Sequence, residues 1–325
     1  MRVALVLLLS LALCQAAPQP EPATPFPETE IRVDTTRAAL YLPDAARGYY
    51  RGTRFDWSGV VSSLRWNGHE YFGEWFEKHD PLLHDGITGP VDEFLTGTSS
   101  LGYDEAAAGT AFVRIGVGAV RKPAGEAAYQ RFATYEIVDH GKWVVTPSGD
   151  HVTFVHELSD TNGYAYRYEK VVRVSAARLM LEYKLRNTGR KRIDTTVYNH
   201  NFFTLDRRGT GPDSSVTFAF DARARRPMEL AAFDGRRLGF TKAFGAKETM
   251  FTEIDGFGPA ASDYDFRIEN RESKAGVRIT SDRPLDRLSF WSHPKTICPE
   301  PFIDVSVDPG AERTWFIHYE LYDVE

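Results

Sequence analysis

Cysteine is nearly absent from this 325-residue chain: there are two, and Cys14 falls inside the opening apolar run. Removal of that run after Ala16 leaves Cys298 alone, so no disulfide can form within the chain and stability has to come from a buried core. Positive charge is not in excess either. Lys and Arg number 39 against 45 Asp and Glu, a net charge of −6, and this balance disfavours a nucleic-acid partner, whose phosphates call for clustered basic surface. No glycine-rich phosphate loop, paired-cysteine zinc motif or nucleophile elbow is visible, so no metal or organic cofactor is expected. Long helical periodicity is missing as well. Beyond Ile31 no proline-rich or low-complexity break interrupts the chain, which argues for one domain over residues 31–325, although the length alone would allow one large β domain or two ordinary ones.

What is present begins with an export signal. Arg2, the apolar run from Val3 to Leu13 and the small residues up to Ala17 read as a secretory signal peptide over residues 1–17. The run is too short to span a bilayer, and Leu13 precedes Cys14 where a lipid-attachment motif wants a small residue. The expected location is secreted or periplasmic. Residues 18–30 form a leader with five prolines between Pro18 and Pro27, stiff and too polar to build a core.

The body reads as strand after strand. Leu179, Leu181, Tyr183 and Leu185 alternate with Met180, Glu182, Lys184 and Arg186, the period of two that marks a strand with one buried face. Similar runs occupy 153–158, 164–174, 216–220, 277–280, 288–291 and 315–322. Turn pairs such as Asn67-Gly68, Asn162-Gly163 and Pro309-Gly310 separate the runs. The economical architecture is all-β, a large antiparallel β-sandwich. Residues 104–109 fit a helical turn or a loop equally well.

Two stretches carry candidate chemistry. In Val197-Tyr198-Asn199-His200-Asn201-Phe202-Phe203, a strand points Tyr198, His200 and Phe202 to one face and Asn199, Asn201 and Phe203 to the other. Histidine titrates nearest neutrality, so its surroundings decide whether it donates or accepts a proton. Near the C-terminus, Glu300 stands between Pro299 and Pro301 after the apolar Ile297-Cys298. A loop there, stiffened by proline, would bury the carboxyl in part and make it a better base once ionised. The pairs His79-Asp80 and His84-Asp85 lack the spacing of known zinc motifs and read as a solvated polar loop.

Together these stretches resemble the galactose mutarotase-like superfamily, which includes aldose 1-epimerases and hexose-6-phosphate mutarotases. Asn199-His200-Asn201-Phe202-Phe203 looks like that family's NHSYF signature, whose histidine is the catalytic acid. The segment from Ile297 to Pro301, followed by Val307-Asp308-Pro309-Gly310, resembles the one that carries the catalytic glutamate. Leu83-His84-Asp85-Gly86 is similar to a turn whose histidine holds substrate near the ring oxygen. Arg51 or Arg54 stands in the place of a substrate-binding arginine, and Asp265 in that of an aspartate that binds sugar hydroxyls. The asparagine before the family's arginine is missing, and after Glu300 the chain turns into its last strand much as the hexose-6-phosphate type does.

The resemblance implies a supersandwich fold and a mutarotase that interconverts the anomers of a free sugar or sugar acid. Glu300 would act as base and His200 as acid, placed far enough apart to flank one pyranose, with His200 held largely protonated by a nearby carboxylate. His84, Arg51 or Arg54, and Asp265 would hold hydroxyls, Trp291, Phe202 or Tyr198 would stack on the ring, and His293 and Lys295 are further candidates. Two other classes fit the same sequence: a carbohydrate-binding protein without turnover, and a polysaccharide-processing enzyme in which Asp265 and Glu300 supply two carboxylates.

Overall fold

The computed structural model describes residues 26–125 and 128–325. The signal sequence and most of the leader lie outside the described residues. The leader's end does not stay outside the body, however: the first strand, Glu28–Val33, starts before Ile31 and pairs antiparallel with Thr36–Tyr41. Among the described residues there are 23 strands, every pairing antiparallel, two single turns of 3-10 helix and no α-helix. No helix there is long and apolar enough to cross a membrane.

The larger sheet has ten strands. In spatial order they are Ala231–Asp234, Arg237–Phe240, Ser214–Phe218, Asp265–Asn270, Ala275–Ser281, Glu312–Asp323, Arg178–Asn187, Tyr164–Ser175, His151–Thr161 and Lys142–Pro147. Its strands alternate as expected from one buried face: Leu179, Leu181, Tyr183 and Leu185 are interior while their neighbours face out. Asn-Gly pairs close two hairpins. At Asn67-Gly68 and Asn162-Gly163 both residues take positive φ (49° and 88°, 56° and 93°), the twist a two-residue hairpin needs. Residues 104–109 form turns without a helix.

A six-stranded sheet faces it, in the order Arg223–Ala224, Met250–Asp255, Arg287–His293, Thr296–Val307, Ile193–Phe202 and Gly89–Leu95. Leu181, Ile279 and Ile317 from the first sheet meet Val197, Phe290 and Val305 from the second in one core. The other face of the six-stranded sheet is covered too, because Tyr49, Phe55, Trp57 and Trp75 pack on Tyr198, Phe202 and Phe302 in a second apolar cluster. Strands buried on both faces lose the alternating pattern, and from Val197 to Phe202 every residue is buried. A four-stranded sheet, Glu28–Val33 to His69–Phe72, continues from the six-stranded one through a bridge between Phe72 and Phe203. A three-stranded sheet, Ala111–Arg114, Gly118–Arg121 and Ile137–Asp139, is the fourth among the described residues.

Between the two main sheets lies a buried polar network. Lys170 Nζ donates to Asp92 (2.8 Å) and to the Ser58 carbonyl (3.0 Å), and Tyr168 donates to Asp56 (3.0 Å). Tyr183 and the Asn199 side-chain amide also donate to Asp92, each at 3.0 Å. The Tyr319 hydroxyl is shared between the side-chain oxygens of Asn199 (2.5 Å) and Asn201 (2.8 Å). With its members satisfied, such a network fixes strand position instead of costing stability.

Candidate active site

Strand register brings His200 and Glu300 together. The ladder between Ile193–Phe202 and Thr296–Val307 ends at Tyr198 opposite Phe302 and resumes as a bridge between Phe203 and Ile297. Counting two residues inward from the ladder end sets His200 opposite Glu300, and directly opposed residues on one face of a sheet have Cβ atoms roughly 5 Å apart. Glu300 is therefore in a strand, not the loop its flanking prolines suggest. On its far side the segment 296–302 pairs fully with Arg287–His293. Pro299 and Pro301 point their missing N–H groups the other way, into the gap where the ladder is interrupted, so no sheet bond is lost. There the Asn201 side-chain amide reaches across to the Pro299 carbonyl (3.0 Å) and spans the gap.

In this arrangement His200 Nε2 lies 3.3 Å from a Glu300 carboxylate oxygen. The two groups are only 3% and 6% exposed, yet both line a cleft of about 140 Å³ with Arg54, Asp85, Arg131, Phe132, Phe202, Phe251 and Trp291. They touch, which is closer than flanking a whole pyranose requires. The Phe202 ring stacks on the imidazole at 3.9 Å, with the Phe55 edge at 5.7 Å. His200 Nδ1 is buried without a hydrogen-bond partner, and Nε2 is the ring nitrogen that meets Glu300.

Beneath the cleft, Glu93 gathers three guanidinium groups. Arg54 Nε donates at 3.0 Å, Arg131 through Nε (3.2 Å) and Nη2 (3.0 Å), and Arg114 at 3.4 Å, while Tyr198 donates at 2.6 Å. Desolvation would raise the Glu93 pKa, but Arg131, Arg54 and Arg114 overcome it and hold the carboxyl at about 2. Arg54 also pairs with Asp85 and donates to the Tyr198 hydroxyl (2.9 Å). These charges reach His200 and Glu300. Burial, reinforced by Arg54 and Arg131, pushes His200 well below the ordinary histidine value. Burial raises Glu300 to about 7 against the pull of the same two arginines. Both shifts run against the expectation of a protonated His200: burial and the arginines favour a neutral imidazole, and burial favours a neutral Glu300.

The other expected residues divide. Arg54 lines the cleft, whereas Arg51 does not; its backbone N–H bonds the Pro81 carbonyl. Trp291 and Phe202 line the cleft; Tyr198 lies behind it, stacked on Phe302. His84 stands at its edge, 2.9 Å from Asp85 and with its ring 4.8 Å from that of Phe132. Asp265 is not brought in: it sits in the ten-stranded sheet, held by two hydrogen bonds from Arg278 (2.9 and 2.6 Å). His293 packs on Trp291 and Trp75, and Lys295 pairs with Glu77. His79 stacks on Tyr49, and no cluster of three metal-ligating side chains occurs among the described residues. Glu93, Arg131, Phe132 and Phe251 were missed. The adjacent acids Asp92-Glu93 inside the otherwise apolar Val91–Leu95 were the one available signal, since acids in a buried strand require partners.

These features define a class. No known family model matches the chain, and no curated protein matches it in sequence. Solved structures do match its fold. A galactose mutarotase related enzyme from Lactobacillus acidophilus is 12% identical with a TM-score of 0.55, over 92% of this chain and 99% of that one. A galactose mutarotase-like protein from Clostridium acetobutylicum gives the same identity, TM-score and coverage, and a protein from Synechocystis sp. PCC 6803 is 15% identical with a TM-score of 0.57, over 96% and 100%. The chain therefore has the galactose mutarotase-like fold.

Proposed function

We propose that this protein is an exported aldose 1-epimerase-like isomerase that interconverts the anomers of a free sugar by acid–base ring opening. The contact between His200 and Glu300 at the base of a cleft carries the reading. Mutarotation takes a proton from the anomeric hydroxyl and gives one to the ring oxygen, and both oxygens sit on one carbon. A touching pair suits that O–C–O edge better than two groups set on either side of a ring.

The pair needs one proton between its members. From the resting state, Glu300 donates to the ring oxygen while neutral His200 accepts the anomeric proton through Nε2, giving a glutamate–imidazolium pair and an open-chain aldehyde. After rotation about the C1–C2 bond, His200 returns its proton to the carbonyl oxygen and Glu300 takes one from the attacking hydroxyl. Arg54 and Arg131 keep the site cationic around the transient carboxylate. Neither step calls on a cofactor. His84 and Arg131 offer hydrogen bonds to hydroxyls, and Trp291 offers a face to the ring. The signal-like residues 1–17 support a site of action outside the cytoplasm.

Polarimetry on freshly dissolved anomers of a hexose and hexuronate panel tests the reading. The protein should speed relaxation of at least one sugar and Glu300→Gln should remove most of that acceleration; a panel with no acceleration sinks it. The hydrolase reading has lost its named pair, since Asp265 and Glu300 do not share a cleft.

A further inference from the structure

Most large apolar side chains among the described residues are buried, and the exceptions gather. Among the described residues six are well exposed, and four of these belong to the segments that frame the cleft: Phe132 (53%), Phe251 (48%), Leu82 (47%) and Leu83 (46%). Phe132 and Phe251 line it directly, from a loop and from the strand Met250–Asp255. Leu82 and Leu83 lie on the segment that supplies Asp85, and Thr134 Oγ1 ties that segment to the Phe132 loop through the Leu82 carbonyl (2.8 Å). The remaining two, Val138 and Val144, are on strands that do not line the cleft. Exposed apolar side chains gathered at one mouth mark a binding surface.

Polar groups are interleaved with this rim. Arg131, next to Phe132, anchors Nε and Nη2 on Glu93, while its Nη1 has no hydrogen-bond partner among the described residues. Phe132 is itself held in place, packed against the Arg54 guanidinium (4.7 Å) and the His84 ring. A fixed aromatic face beside a free donor matches a pyranose, which offers an apolar C–H face and a hydroxyl edge. The cleft's volume of about 140 Å³ is far less than the several hundred Å³ of sites that enclose larger ligands, so it holds at most one sugar ring beside His200 and Glu300. A second ring has to lie outside, on the rim.

From this we infer that the preferred substrate is the reducing end of an oligosaccharide: the terminal ring enters the cleft and the penultimate ring lies on Phe132 and Phe251. This deepens the mutarotase reading and rests on it for the position of the first ring. A monosaccharide in the cleft would leave the outer, exposed parts of both phenylalanines in water. A disaccharide would cover them, which is worth roughly tenfold in affinity for one aromatic face.

The test compares sugars that share a reducing ring. Calorimetric binding and mutarotation kinetics are measured for glucose against cellobiose, maltose and lactose, and for galactose against β-1,4-galactobiose. At least one disaccharide should bind, and show a KM, about tenfold below its own monosaccharide; Phe251→Ala and Phe132→Ala should each shrink that ratio toward one. Phe251 makes no ring contact among the described residues, so its variant separates the rim from the Arg54 packing that Phe132 also serves. Monosaccharide turnover with no disaccharide bound more tightly overturns this inference alone. No binding by any sugar overturns it together with the mutarotase reading. A concentration-dependent dimer in the wild type that Phe251→Ala dissolves also overturns it, by giving the rim to a second copy of the chain.

Discussion

Replacing Glu300 by glutamine should make the protein more stable, and increasingly so as pH rises. The carboxyl is 6% exposed and its pKa is raised from 4.5 to about 7 by burial. Between those two values the folded protein holds a proton that the unfolded chain has released, so stability falls as pH climbs through that window. The shift of two and a half units corresponds to roughly 3 kcal/mol, complete above pH 7 and under ~1 kcal/mol at pH 5. Glutamine keeps the side chain's shape without the charge. Urea unfolding of both proteins at pH 5 and pH 9 should therefore show a gap that widens by about 2–3 kcal/mol in favour of Glu300→Gln. A gap that stays constant across this range refutes the idea that a buried ionisable carboxyl sits at this site. Gain in stability with loss of activity is the trade expected where a strained group serves catalysis.

Three further outcomes follow from the same geometry. Since the active pair carries one proton, kcat/KM should fall as pH rises past about 7 with Glu300 ionisation. It should hold on the acid side to well below the ordinary histidine range, and a profile that climbs through pH 7 to a plateau would contradict the proposed proton distribution. Lys170→Met leaves the buried carboxylates of Asp92 and Asp56 without their cation and should cost about 3–5 kcal/mol in denaturant unfolding; a loss below ~1 kcal/mol would show the network to be loosely held. Asn201→Ala removes the link to the Pro299 carbonyl and should cost about 1–3 kcal/mol. It should also lower kcat more than KM, because the distance between His200 and Glu300 loses a support; equal effects on both constants would argue for a purely structural role.

The parts of this molecule that could be read in advance are those with one wet face. Arg178–Asn187 alternates because its outer residues meet water, and the period of two follows directly. Gly89–Leu95 is buried at all seven positions, covered on both faces, so it shows no period and its Glu93 went unnoticed. Thr296–Val307 reads as a broken segment because proline normally ends a ladder, whereas here both prolines face a gap where no ladder bond is made. The turn at Ala176-Ala177 has neither glycine nor asparagine. Ala177 takes φ 55°, its N–H donates to Thr36 Oγ1 (3.0 Å) and its carbonyl accepts from the Leu321 N–H (2.8 Å). Such long-range bonds are invisible along the chain.

The site shows the same division more sharply. Which face of its strand His200 occupies follows from alternation, since Tyr198 and Phe202 join the outer cluster and Phe203 the inner core. What it touches does not. Contact with Glu300 depends on the pairing of two strands a hundred residues apart, and a slip of one position would turn the carboxyl to the opposite face and into the core. Several long-range contacts hold that register: the pairing of Tyr198 with Phe302, the bridge from Phe203 to Ile297, and the Asn201 amide on Pro299. Behind them, Tyr319 of the opposite sheet holds Asn199 directly, and Asp92, the neighbour that Asn199 bonds, is held by Lys170 and Tyr183 of that sheet. The contact between His200 and Glu300 is therefore a property of the whole sandwich. Substitutions in the polar layer behind the strand should reach the reaction through His200 and Glu300 without touching a substrate.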